Sequence, residues 1–129
     1  MKPLDPAVAR PIALLARADK LLARACLDGI GDTEDTLGEP RFLLVQAQKA
    51  IDGITLSNSV DAIQRLGEAQ AQIARMLLIV DSVLPRQSRE FHMAEAAPKL
   101  APLFDEFKPL IELLAAISPH VSPLAGLYR

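Results

Sequence analysis

The sequence predicts an all-α fold, a bundle of four main helices plus one short helix, with proline breaks in the C-terminal third. Three observations predict it. Large apolar side chains recur three, four and seven residues apart through most of the chain, the period of a helix with one buried face. Pro, Gly and Ser-Asn runs cut those stripes at helix-length intervals. Half of the residues are hydrophobic but only 4% are aromatic and Trp is absent. The core is therefore built from Leu, Ile, Val and Ala, which suits closely packed helices.

The first helix is predicted over 10–28. Asp5-Pro6 is a good N-cap and N1 pair, but Pro11 removes a backbone bond to Ala7, so a kink or a late start is expected. Leu14, Ala18, Leu21 and Ala25 form one row and Leu15, Leu22 and Cys26 the next, opposite Arg17, Lys20 and Arg24. Gly29 and Gly31 end the helix. Residues 29–39 are an acidic stretch, expected to be a solvated, mobile connection. Asp28, Asp32, Glu34 and Glu39 loosely match a calcium loop, but Ile30 stands at its third position and Thr33 where the sixth requires Gly.

The second helix, 40–53, is carried by Phe42, Leu43, Ala47, Ala50 and Ile51, and Gly53 ends it. Ser57-Asn58-Ser59 then offers N-caps for the third, 59–84, whose stripe is Val60, Ile63, Leu66, Ile73, Leu77, Val80 and Leu84. Met76 to Val80 is apolar all round, as in a helix covered on most sides, so this helix is expected to be central. A short fourth, 88–97, starts at Ser88. Pro98 and Pro102 make a joint before the last helix, 102–117, which Pro109 should bend near Asp105. A single domain is thus expected over 1–118, with 119–129 as a C-terminal tail.

Charge and cysteine content limit the function. The 14 basic and 16 acidic residues give a net charge of −2, and the basic ones are scattered, which argues against nucleic acid. A lone cysteine, Cys26, allows no intrachain disulfide and suits a reducing, cytoplasmic setting. The N-terminus lacks the apolar core of a secretory signal. No apolar stretch approaches the roughly 20 residues of a membrane span.

Candidate chemistry is sparse. His92 and His120 lack a Cys, Asp or Glu at ligand spacing, since Glu90 lies two before His92 and Glu95 three after it, so no metal is expected. His92 on an exposed helix face would suit a phosphotransfer domain, but Met93-Ala94-Glu95-Ala96 lacks the Lys-Gly pair that would receive the phosphoryl group. Cys26 reads as a packed thiol. Gly67 reads either as a point of close helix approach or as a tolerated helical glycine. No cofactor motif is present.

The widest apolar face is Leu103, Phe104, Phe107, Leu110, Ile111 and Leu114, too wide for one neighbouring helix. It predicts a protein partner or self-association, with a homodimer as the simplest form. Leu124, Leu127 and Tyr128 in the tail are further contact candidates, docking in cis, in trans or not at all.

The run Arg41-Phe-Leu-Leu-Val-Gln-Ala-Gln-Lys-Ala-Ile51, followed after a polar turn by Ala62-Ile-Gln-Arg-Leu-Gly-Glu-Ala-Gln-Ala-Gln-Ile-Ala-Arg-Met76, resembles the central hairpin of the flagellin export chaperone family. The resemblance implies a small cytosolic helical bundle whose aliphatic surface holds a helical segment of an unpolymerised filament protein. The sequence departs from the family in lacking a tyrosine-bearing N-terminal segment and in its prolines at 98, 102 and 109. The functional expectation is a non-catalytic, protein-binding helical module without cofactor, possessing export-chaperone-like use. The alternatives are a histidine phosphotransfer protein, an apolar-ligand-binding bundle and a self-assembling structural bundle.

Overall fold

The computed structural model describes residues 3–85 and 91–122, and the fold is all-α. Helix α1 (Pro6–Asp28) starts where Asp5 Oδ1 accepts the Ala7 N–H at 2.9 Å, with Pro6 at N1. It continues through Pro11, which is buried, instead of starting late. A proline so near a helix start removes few intrahelical bonds. Gly29, at φ 59°, ends the helix in the left-handed region that suits glycine.

The segment expected as a mobile loop is tied down. It contains a one-turn helix, α2 (Thr33–Thr36), and both Thr33 and Leu37 are fully buried. Thr33 N–H donates to the Phe91 carbonyl and Met93 N–H to the Gly31 carbonyl, each at 2.8 Å. Among its acids, Glu39 pairs with Arg17 at 3.0 Å. Composition suggested solvent because the charges are on the outside of a connection whose few apolar groups point in.

Helices α3 (Gly38–Asp52) and α4 (Val60–Ser82) form a hairpin, with Ser59 Oγ accepting the Ala62 N–H. Residue 88, the expected start of the short helix, lies outside the described residues. Helix α5 (Met93–Leu100) contains Pro98 without ending there, and His92 is its N-cap. A 3-10 turn (Ala101–Asp105) joins it to α6 (Phe107–Ile117), and a second 3-10 turn spans Ser118–His120. The expected continuous helix over 102–117 is thus two pieces. Pro109 cannot donate to the Asp105 carbonyl, so the α-helical ladder begins after it.

The long helices form a ring in the order α1, α3, α4, α6, with α6 closing on α1 and little packing across the diagonals. Neighbours run antiparallel: the Asp5 N–H at the start of α1 donates to Ser118 Oγ just after α6 at 2.8 Å. Helix α6, with 11 residues against 23 in α1, is about 17 Å long and α1 about 35 Å. The remaining length of the bundle is covered by α5 and the 3-10 turn that leads into α6. At the opposite end Ser57 N–H donates to the His120 carbonyl and Ser122 N–H to the Thr55 carbonyl. Residues 119–122, expected in the tail, therefore lie against the α3–α4 connection.

The phase of α4 differs from its expected stripe. Its buried row is Ala62, Ala69, Gln72, Ile73, Met76, Leu77 and Val80, whereas Val60 is 81% exposed and Ile63 is also exposed. Alanines set the inward face in the first half because short side chains let α4 approach its neighbours. Nor is the helix covered on most sides or central to the bundle. Leu78, inside the Met76–Val80 run, is 68% exposed.

Candidate functional site

The expected partner face is largely interior. Leu103, Phe107, Leu110 and Leu114 are fully buried in the common core, where α1 and α4 cover α6 from two sides. Two neighbours suffice for a face that seemed too wide for one. Phe104 and Ile111 are only partly buried and pack at the margin of that core. Leu124, Leu127 and Tyr128 lie outside the described residues.

Ile111 marks a roomy surface feature. Between α1 and α6 runs a seam with a cavity of 660 Å³ lined by Ala16, Arg17, Asp19, Lys20, Ala23 and Ile111. A second cavity of 300 Å³ follows the same seam towards the α1 N-terminus, between Leu4, Asp5, Ala115 and Ser118. Ile111 and Ala115 are one helical turn apart, so the same α6 face walls both. Ala16, Lys20, Ala23 and Leu27 share one strip of α1, and Leu27, 87% exposed, stands at its upper end. Sequence reasoning missed this strip, because small alanines beside charged residues read as a solvated face.

Asp19 is half-buried in the seam, and burial pushes its carboxyl above the ordinary value. Burial likewise pushes the Cys26 thiol up, which disfavours the thiolate a nucleophile needs. His92 serves the backbone: its Nδ1 accepts the Ala94 N–H at 3.1 Å. Among the described residues no group of three His, Cys, Asp or Glu side chains is placed to hold a metal ion.

Ion pairs stand on the α3–α4 and α4–α6 seams as well. Between α3 and α4, Arg41 Nε donates to Asp81 Oδ1 at 2.6 Å beside a 520 Å³ cavity. That hydrogen bond and the Asp81 charge hold Arg41 still more firmly protonated. Beside the α4–α6 seam, Arg65 pairs with Asp61 of its own helix at 3.1 Å, next to Glu68 and Glu112. Phe42, expected in the core stripe of its helix, is instead 59% exposed on the outer face of α3.

The fold and seams define a four-helix bundle closed at one end by a short helix. Comparison with known proteins gives no match, whether to a family model, a curated protein or a solved structure. No helix of the described residues is long and apolar enough to cross a membrane.

Proposed function

We propose that the chain is a non-catalytic helical module that binds protein. The use is export-chaperone-like, holding a helical segment of a client in the cytoplasm. The observation that supports this most is the pairing of a filled core with apolar side chains left outside it. Leu27 and Ile30 are exposed three residues apart, as are Val60 and Ile63, and Phe42 and Leu78 are exposed on the α3–α4 hairpin. Isolated exposed leucines are ordinary on a protein surface, but clustered ones cost hydration free energy that contact with another protein recovers. The resemblance of residues 41–76 to the central hairpin of flagellin export chaperones supports a client of helical form.

Self-association belongs to the same proposal, with a homodimer as its simplest form. The full chain, recovered natively from cell extract at low and then high salt, should retain one protein partner or a second copy of itself. Contacts through apolar side chains persist in salt, whereas phosphate contacts are lost. Retention of nucleic acid alone, released by salt, or a lone monomer in both buffers would refute the proposal.

A further inference from the structure

From the cations that stand along the α1–α6 seam, against the paired ones on the α3–α4 and α4–α6 seams, we infer that the α1–α6 seam is the docking groove of this module and that its occupant is a short amphipathic helix of another protein, with small or branched apolar side chains on one face and acidic residues along its flanks. The inference rests on the protein-binding proposal and names its site and the chemistry of the partner.

Three features of the seam carry it. The floor is short: Ala16 and Ala23 leave room for an incoming backbone at close helix–helix distance, Ile111 supplies apolar contact at the side, and exposed Leu27 continues the strip one turn beyond Ala23. The rim carries cations. Lys20 and Arg24 stand one turn apart on α1, Lys108 sits one turn before Ile111 on α6, and none of the three forms an ion pair among the described residues. Arg17 adds a fourth cation, shared with Glu39 at 3.0 Å. On the α3–α4 and α4–α6 seams Arg41 and Arg65 already have carboxylate partners. In a chain of net charge −2, Lys20, Arg24 and Lys108 thus stand without ion pairs on or beside a groove that Ala16 and Ala23 line.

A helix with acidic flanks satisfies both features at once, its apolar face over the alanines and its carboxylates at the rim. A phosphate backbone would meet the cations but leave Ile111 and Leu27 uncovered. Asp19 is the single group in the groove that such a partner does not satisfy. Its carboxylate has no ion-pair partner among the described residues and would be desolvated further by the occupant, so it weakens docking.

The test uses the full chain, isotope-labelled, and two synthetic helical peptides of about 16 residues, roughly 24 Å long. Both carry the same Leu/Ala face, one with Glu and the other with Lys on the flanks. The Glu peptide should shift the amide resonances of Ala16, Lys20, Ala23 and Ile111, and the Lys peptide should not. Combined Lys20→Glu, Arg24→Glu and Lys108→Glu changes, all at exposed positions, should weaken the Glu peptide by about tenfold or more. Asp19→Asn should tighten it, and Arg65→Glu on the α4–α6 seam should leave it unchanged.

Equal binding of the Lys peptide, shifts confined to Phe42 and Leu78, or indifference to the triple change would overturn the inference. Concentration-dependent shifts of the same amides without peptide would give the groove to a second copy and overturn it too. Failure of both peptides to bind would end the acidic-helix occupant while the co-purification result still stands or falls separately.

Discussion

Gln72 Nε2 donates to the Glu106 carbonyl at 2.8 Å, across the contact between α4 and the start of α6. Gln72 is only 8% exposed, a polar side chain in an otherwise aliphatic row, and its partner is the residue at which the 3-10 turn becomes a helix. The Glu106 carbonyl also receives the Leu110 N–H at 3.3 Å, and its side chain lies 3.9 Å from Arg75, one turn beyond Gln72. Two residues of α4 thus hold both ends of Glu106. This fixes where α6 begins after a break that Pro109 imposes, and with it the height at which Ile111 meets α1.

Gln72→Ala should therefore cost about 1–2 kcal/mol, one net buried hydrogen bond plus lost packing. Gln72→Met, which keeps most of the volume, should cost less. Chemical denaturation of both variants checks this, and an unchanged midpoint for Gln72→Ala would show that α6 is positioned by its apolar contacts alone.

Thr33 Oγ1 is buried without a hydrogen-bond partner among the described residues, although its backbone N–H is bound to Phe91. An unpaired hydroxyl in an apolar setting is a net cost. Thr33→Val keeps the branched shape and should raise stability by up to about 1 kcal/mol. Thermal unfolding of the variant should show a midpoint above that of the parent, and a lowered one would mean that the hydroxyl is satisfied in solution.

Two glycines should respond in opposite directions to alanine. Gly31 sits at φ 84°, with Thr36 Oγ1 3.4 Å from where a Cβ would be, so Gly31→Ala should destabilise by about 1 kcal/mol or more. Gly67 lies on the exposed face of α4 with nothing within 4 Å of its added Cβ, so it marks no close approach of helices. Gly67→Ala should stabilise by about 1 kcal/mol. Denaturation midpoints that move the same way for both would contradict these assignments.

Asp19 gives a pH signature. Its folded-state pKa lies above its ordinary value of 3.8 because burial disfavours the charged form. The folded state therefore holds the proton more tightly than the unfolded state, and stability contributed by this group falls as pH rises through that window. Above the folded-state pKa the penalty is complete, and below 3.8 it vanishes. Asp19→Asn should stabilise the protein at neutral pH, with the advantage shrinking on acidification. A difference that instead grows with acid would reverse the assigned cause.

The helices were legible in the sequence where large side chains set the period. Helix α3 and the end of α1 fall within a few residues of the boundaries read at Pro40, Gly53 and Gly29, whereas α1 begins at Pro6, ahead of the expected residue 10. The face of α4 was less legible, since Val60 and Ile63 outweigh Ala62 and Ala69 on any scale of hydrophobicity, yet tight packing selects the smaller pair. Thr33 and Leu37 were hidden among acids, and only the tertiary pairing with Phe91 and Met93 turns that segment inward. The seam itself was half visible: Ile111 stood out as an apolar residue, whereas Ala16 and Ala23 gain meaning only once α6 lies beside them.

The most direct test of protein binding through α1 is light-induced crosslinking inside the cell. A photoreactive phenylalanine analogue at Ala23, in the α1–α6 seam, is compared with the same group at Glu68, beside the α4–α6 seam. The expected result is one discrete adduct with another protein from position 23 and none from position 68. The contradicting result is no adduct from position 23, or the same set of adducts from both positions.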